Sequence, residues 1–166
     1  MEPQARFFVD RMLGKVAKWL RILGYDARYG SIETASQIET LHREGIVVVT
    51  GNTRWRHLPG VFFCEPLRVE EQCRKLAQAG LIRREEVRLF SRCLRCNRLL
   101  EEAPKEEVGG VVPDYVYATA PSFCRCPSCG RAYWPGSHWD RMTERFRRIT
   151  GWSLEDLSER RTEWAE

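Results

Sequence analysis

Two hydrophobic periods alternate along the first ninety residues. Short, continuous apolar runs indicate buried strands, and longer segments with apolar residues at helical spacing indicate amphipathic helices. The predicted strands are 6–9, 25–29, 46–49 and 61–64, and the predicted helices are 11–23, 33–44 and 68–80. Because strands and helices alternate, the pattern predicts an α/β domain with a mostly parallel sheet.

The pattern changes after residue 90. Residues 91–136 hold five of the seven cysteines with several prolines and glycines, and show little helical periodicity. Residues 137–149 read as a helix. A capping-box pattern at Ser153 and Asp156 predicts a terminal helix. The predicted organisation is therefore a domain at 1–90, a compact module with its following helix at 91–150, and an acidic helix or tail at 151–166.

Four cysteines in the second module form two C-x-x-C pairs. Cys93 and Cys96 make the first pair, and Cys126 and Cys129 the second. Two such turns can present four thiolates tetrahedrally to zinc, so the spacing predicts a zinc ribbon with a long internal loop. A site with four cysteine ligands is closed, and this zinc is expected to be structural.

The remaining cysteines leave one choice open. Cys124, in "CRCPSC", could replace Cys126 as a ligand, although the C-x-x-C spacing favours Cys126. We expect Cys64 and Cys73 to be small apolar core residues. An odd count of seven cysteines argues against a disulfide framework.

Composition narrows the class of protein. Hydrophobic residues make up 43% of the chain, which supports a folded core, and no apolar run reaches the length of a membrane helix. The N-terminus shows no secretory signal, so we expect a cytoplasmic protein without membrane association. The net charge is +4, and most of the 27 basic residues are arginine. Arginine suits phosphate contacts, but the excess could equally be a compositional bias.

Polar residues at the predicted strand ends are the candidates for chemistry. Asp10 follows the first strand and could bind a divalent cation or cap the next helix. Asn52 follows the third strand in "IVVVTGN". Asp26 lies near the start of the second strand, and Glu33 opens the second helix. No G-x-G-x-x-G follows the first strand, which argues against a dinucleotide-binding domain.

Basic residues lie beside these positions. Arg11, Lys15 and Lys18 share the polar face of the first predicted helix, which is either a solvated face or a track for nucleic-acid phosphates. Arg54, Trp55 and Arg56 follow Asn52 and add charge with a possible stacking surface.

Several stretches together resemble the mut-seven C-terminal RNase family across about residues 6–148. They are "FFVDRMLGKVAKWLRILGYDARY", "VVVTGN", "EEQ", "FSRCLRCNRLL" and "CPSCGRAYWPGSHWDRM". The resemblance implies a PIN-like three-layer nuclease fold followed by a zinc ribbon, and a ribonuclease that uses Mg²⁺ or Mn²⁺. In such sites the metal polarises the phosphate and generates hydroxide from water.

The resemblance also assigns residues. It implies that Asp10 is a metal-binding acid, that Asp26 matches a second acid of less clear role, and that Cys93, Cys96, Cys126 and Cys129 bind zinc. Ser137, His138 and Trp139 match the segment after the ribbon. There His138 could contact substrate, but we expect it to have a packing role. We count Glu33 and Asn52 with the catalytic group.

One departure from the family pattern bears on function. Family members usually carry T-R-D after the third strand, where this chain has Thr50, Gly51 and Asn52. The acids before the second helix are also reduced to Glu33. A site with few carboxylates binds hard divalent cations weakly. The sequence therefore favours a metal-dependent endoribonuclease in RNA processing whose site is weakened by Asn52. The alternatives are a non-catalytic RNA- or tRNA-binding protein and a zinc-ribbon module for protein interaction.

Overall fold

The computed structural model describes residues 4–152. The predicted capping box at Ser153 and Asp156 lies outside the described residues, as does nearly all of the predicted acidic tail. Within the described residues, none of the helices combines the length and the apolar composition needed to cross a membrane.

Strands and helices follow the predicted order, with boundaries that shift by up to three residues. The first part of the chain comprises β1 (Arg6–Asp10), α1 (Gly14–Ile22), β2 (Asp26–Gly30), α2 (Ala35–Arg43), β3 (Ile46–Thr50), β4 (Val61–Phe63) and α3 (Val69–Gln78). The second part comprises β5 (Glu101–Glu102), α4 (Lys105–Val108), α5 (Asp114–Thr119), β6 (Cys124–Arg125), β7 (Ala132–Tyr133) and α6 (Ser137–Thr150).

The four strands of the first part form one parallel sheet in the order β2-β1-β3-β4. In this register Asp10 lies opposite Gly30, and Arg6 lies opposite both Asp26 and Ile46. The carboxyl ends of all four strands therefore share one edge of the sheet, and their amino ends share the other. The predicted α/β class with a parallel sheet is confirmed.

Alternating side chains bury both faces of this sheet. Phe7 and Val9 of β1 join the core that contains α1 and α3. Ile46 and Val48 of β3 join a second core with α2 residues. Because successive strand residues point to opposite faces, the continuous apolar runs seen in the sequence produce three layers, with α2 on one side and α1 and α3 on the other.

The first predicted helix does not begin directly after Asp10. Arg11–Leu13 form a 3₁₀ turn, and the α-helix starts at Gly14. Asp10 occupies the N-cap position of this turn, but its side chain makes no capping hydrogen bond. The capping interpretation of Asp10 is therefore wrong.

The second part is a small antiparallel sheet with inserted helices. Strands β5, β6 and β7 pair in that order, and α4 and α5 lie between the two cysteine pairs. The insert has its own small core of Val108, Val112 and Phe123. The main core continues into α6, where Trp139 stacks on Phe90 with ring centroids 4.2 Å apart.

Gly24 follows α1 at a crowded position. A substitution there tests how closely the segment around Arg88 packs against the end of this helix. Its φ is +91°, and an added Cβ would lie 2.3 Å from the carbonyl oxygen of Arg88. We predict that Gly24→Ala lowers the free energy of unfolding by about 3 kcal/mol or more, measured by urea denaturation.

Gly80 provides the matched control. Its φ is +71°, but no atom lies within 4 Å of the position of an added Cβ. Gly80→Ala should therefore cost only the left-handed backbone penalty of about 1 kcal/mol. Equal losses in the two variants would contradict the close approach of Arg88 to Gly24.

Candidate functional site

The carboxyl edge of the parallel sheet gathers the polar residues that follow each strand. Asp10 ends β1, Glu33 follows β2, Asn52 follows β3 and Glu65 follows β4. Ligands of open parallel sheets bind at this edge. The strand order places Asp10 and Asn52 at the two central strands, with Glu33 and Glu65 at the flanks.

Asp10 is held in place by the neighbouring strand. It is buried, with 6% of its surface exposed, and its Oδ2 accepts a 2.6 Å hydrogen bond from the Thr50 hydroxyl. The Thr50 oxygen in turn accepts a 3.1 Å hydrogen bond from the Asn52 backbone N–H. Thr50 thus orients the Asp10 carboxylate, whose Oδ1 makes no hydrogen bond within residues 4–152. The T-R-D pattern of the family includes the position of Thr50, but no role was predicted for this residue from the sequence. Its further signal is the polar end of an apolar strand.

Asn52 has a structural task at the end of β3. Its side-chain oxygen accepts a 3.0 Å hydrogen bond from the Arg54 backbone N–H and so caps the 3₁₀ turn Thr53–Trp55. Asparagine and aspartate are about equally good at N-cap positions. The local backbone would therefore accept an aspartate at position 52 without refolding.

Asp26 lies at the opposite edge of the sheet. It starts β2, four positions before the residue that pairs with Asp10, so roughly 13 Å of strand separates the two positions. Its Oδ1 accepts a 2.6 Å hydrogen bond from the Asn97 side-chain amide. The expectation that Asp26 joins Asp10 in one acidic group is therefore wrong. The strands are parallel, so the start of β2 and the end of β1 lie at opposite edges of the sheet.

The two flanking acids differ in their surroundings. Glu33 is exposed, just before the Thr34 N-cap of α2. Glu65, which the sequence reasoning missed, pairs with Lys75, and the hydrogen bond from Lys75 lowers the pKa of its carboxyl group. An acid directly after the fourth predicted strand was the signal for it. Neither side chain belongs to a group of three or more acidic, histidine or cysteine ligands within the described residues.

The basic residues near this edge divide into two groups. Arg11, Lys15 and Lys18 are exposed, as expected for a polar helix face. Arg54 and Arg56 are also exposed, and their guanidinium groups lie over the rings of Trp55 and Phe63, respectively.

Trp55 does not provide a stacking surface for nucleic acid. Only 4% of its surface is exposed, and it packs in the core beneath α2 with Ile38 and Leu41. The expected stacking role of Trp55 is therefore wrong, because its ring is covered by the second core cluster. The charges of Arg54 and Arg56 remain accessible.

A groove of about 740 Å³ opens beside the carboxyl edge. We call it the edge groove. Its walls include Gly51 at the end of β3, the exposed apolar side chains of Met12 and Leu67, and the basic side chains of Lys15 and Arg68. This combination of apolar surface and positive charge favours an anionic ligand over a cationic one.

The four predicted zinc ligands converge in the second part. The sulfur atoms of Cys93, Cys96, Cys126 and Cys129 all lie within 4.8 Å of one another. The Cys93 sulfur also lies 3.1 Å from the Tyr133 hydroxyl, which fixes one face of the cluster against β7. Four thiols at this separation fit a tetrahedral zinc site.

The thiols of the cluster differ in their pKa values. Burial alone would raise the pKa of the Cys93 thiol, but hydrogen bonds from Tyr133 and from the backbone N–H groups of Cys96 and Arg95 lower it to about 6. The pKa of Cys96 is raised to about 11, first by its hydrogen bond with Cys129 and further by burial and by Cys93. Four thiolates in so small a space repel one another unless a metal ion neutralises them.

Cys124 is excluded from the cluster by its position on β6. It is fully buried in the main core, and burial raises the pKa of its thiol to about 12. Cys64 and Cys73 are likewise buried, which confirms their expected role as core residues. The choice between Cys124 and Cys126 is thereby resolved in favour of Cys126.

The segment after the ribbon has a different packing from the one expected. Ser137 and His138 are exposed at the start of α6, whereas Trp139 is buried against Phe90. The packing role expected for His138 belongs to Trp139.

The two candidate metal sites differ in how well their donors fit the ion. The four cysteines fit zinc in number and softness. At the carboxyl edge, the central strands supply one carboxylate, from Asp10, with the neutral oxygens of Thr50 and Asn52. This set fits Mg²⁺ or Mn²⁺ poorly, because these ions favour several charged oxygen ligands.

Comparison with known proteins points to one family. The family model described as Mut7-C RNAse domain matches residues 5–146, most of the chain, including the sheet, the four cysteines and most of α6. No curated protein and no solved structure matches the chain significantly.

The metal content of two cysteine variants tests the ligand assignment. We predict about one zinc ion per unmodified chain, full retention in Cys124→Ala and loss of most zinc in Cys126→Ala, measured by atomic emission after gel filtration. Cys124→Ala is a matched control, because it removes a buried thiol from the same short segment. Zinc loss in Cys124→Ala with retention in Cys126→Ala would reverse the assignment.

Proposed function

Because the chain belongs to the Mut7-C RNAse domain family, we propose that it is a metal-dependent endoribonuclease of RNA processing whose cleavage site is weak. The proposed site is the carboxyl edge of the sheet, with Asp10 as its central acid. The ribbon is proposed to hold a structural zinc ion on Cys93, Cys96, Cys126 and Cys129.

The observation that carries this proposal is the buried Asp10–Thr50 pair. Burying a carboxylate costs free energy, so acidic side chains are rarely buried unless a hydrogen-bonding partner holds them. Thr50 holds one oxygen of Asp10 and leaves the other unbonded within the described residues. This arrangement orients a carboxylate at the edge where parallel sheets bind their ligands.

The proposed weakness follows from the charge at the edge. Asn52 offers an amide oxygen without charge, and that oxygen already accepts the Arg54 N–H. Glu33 is exposed at the flank, and Glu65 is paired with Lys75. We therefore expect Mg²⁺ or Mn²⁺ to bind weakly, with cleavage visible only at high metal concentration.

RNA is proposed as the substrate because positive charge surrounds this edge. Lys15 and Arg68 line the edge groove, and Arg11, Arg54 and Arg56 are exposed nearby in the chain. These side chains would contact phosphates without reading base sequence. They would position a strand, while Asp10 acts at the reacting phosphate.

A second candidate, non-catalytic RNA binding, is favoured by the poor donor set around Asp10. Such a protein would keep the basic groove and the ribbon but lack measurable cleavage. The two candidates make different predictions for the restoration of an acid at position 52.

A cleavage assay on a labelled single-stranded RNA with Mn²⁺ separates them. We predict slow cleavage by the unmodified chain, a loss of about 10- to 100-fold in Asp10→Asn, and a gain of about the same size in Asn52→Asp. Asn52→Asp should fold normally because aspartate also caps the turn. Asp10→Asn should fold because the amide oxygen can accept the Thr50 hydrogen bond.

Asp114→Asn removes an exposed acid from α5 and is the control for a general change of charge. Its rate should match that of the unmodified chain. Cleavage that appears only in Asn52→Asp would identify the non-catalytic binding protein. Equal cleavage by the unmodified chain and by Asp10→Asn would contradict the proposed site.

A further inference from the structure

A second basic groove lies between α1 and the two cysteine turns. It has a volume of about 430 Å³, and we call it the ribbon groove. Its exposed cations come from three separate places in the chain: Lys18 on α1, Arg95 in the first cysteine turn and Arg131 directly after the second. No acidic side chain is among the described residues that line it.

The three cations of this groove contrast with several other surface arginines, which pair with acidic side chains. Ion pairs elsewhere include Arg28–Glu44, Arg83–Glu86, Arg145–Glu70, Arg147–Glu144 and Arg148–Glu144. Within residues 4–152, Lys18, Arg95 and Arg131 form no ion pair. The nearest source of negative charge is the cysteine cluster, whose thiolates a zinc ion would partly neutralise. The three cations therefore create a local positive potential that favours an anionic ligand.

A buried arginine fixes the geometry of the groove. Arg21 donates hydrogen bonds to the carbonyl oxygen of Ala27 at 2.9 Å, to that of Leu94 at 2.8 Å and to that of Arg95 at 3.1 Å. These bonds tie the end of α1 to both β2 and the first cysteine turn. Arg95 is therefore held beside Lys18 by the fold and does not depend on a flexible linker.

The ribbon groove lies next to the edge groove. Gly14, at the start of α1, lines both. Tyr29 lines the ribbon groove, with 46% of its surface exposed, and its hydroxyl donates a 2.7 Å hydrogen bond to the Arg11 carbonyl oxygen. The aromatic ring is thus fixed beside Gly14.

We propose that the ribbon groove binds the phosphate backbone of single-stranded RNA through Lys18, Arg95 and Arg131, and guides the strand along α1 to the Asp10 edge. The inference rests on the proposed function, because it takes RNA as the ligand. It adds the zinc ribbon to the RNA-binding surface and assigns phosphate contacts to residues on both cysteine turns. The exposed Tyr29 ring offers a surface on which a base can stack.

A single strand is the form of RNA that suits this surface. Its lining comes from α1, from Tyr29 of β2 and from the segments around the two cysteine turns. Stacking on Tyr29 requires an unpaired base, which a duplex does not present. Contacts to phosphates alone predict binding with little sequence preference and strong dependence on salt.

The test measures binding of a fluorescein-labelled oligouridylate to the zinc-loaded full chain by fluorescence anisotropy, without added Mg²⁺ or Mn²⁺. Lys18→Gln, Arg95→Gln and Arg131→Gln should each weaken binding about 4-fold at 0.15 M salt, and the triple variant about 50-fold. The slope of log K against log salt should fall by about 0.7 for each removed contact. Arg43→Gln is the control, because Arg43 is exposed on α2 at the other face of the sheet.

Zinc content is measured in every variant, because Arg95 and Arg131 flank the thiolates and could act by neutralising them. Weakened binding and a reduced slope with full zinc content would support the proposal. Unchanged binding in the triple variant would overturn it and leave the proposed function standing, as would weakened binding that follows zinc loss. Failure of the unmodified chain to bind RNA would overturn both.

Discussion

The junction between the first cysteine turn and the amino edge of the sheet determines how the two parts of the molecule are arranged. The Asn97 side chain donates to Asp26 and accepts from the backbone N–H of Ala27, and Arg21 donates to carbonyl oxygens on both sides. Asn97 makes these contacts from a left-handed conformation with a φ of +64°, which asparagine tolerates better than most residues. Loss of one of these hydrogen bonds would leave its partner without a hydrogen bond and away from water, which costs free energy. The bonds of the junction therefore support one another.

This junction accounts for the separation of tasks between the two edges of the sheet. Asp26 serves as an anchor for the ribbon and is thereby unavailable to the site at the opposite edge. The carboxyl edge keeps Asp10, oriented by Thr50, in neutral surroundings at its centre. Charge is distributed accordingly: the grooves along α1 are rich in cations, and the centre of the edge is poor in carboxylates. We therefore expect this surface to favour a polyanion over a divalent cation.

The sequence predicted the fold and the cysteine cluster well, because both depend on local patterns. Continuous apolar runs identify parallel strands, and C-x-x-C spacing brings sulfur atoms together in a tight turn. The position of Asp26 follows from the direction of β2, because a residue at the start of a parallel strand lies at the edge opposite the strand ends. Two flanking arginines suggest a surface position for Trp55, whereas long-range packing against α2 buries its ring. Thr50 and Arg21 lie within the stretches that resemble the family, but their roles depend on partners far away in the sequence.

We infer that the number of carboxylates at the Asp10 edge limits cation binding. Titration of the zinc-loaded chain with Mn²⁺, followed by the loss of the free-ion electron paramagnetic resonance signal, tests it directly. We expect weak binding by the unmodified chain, at least about 10-fold tighter binding by Asn52→Asp, and loss of that gain when Asp10→Asn is added. Tight Mn²⁺ binding by the unmodified chain that Asp10→Asn leaves unchanged would contradict the account.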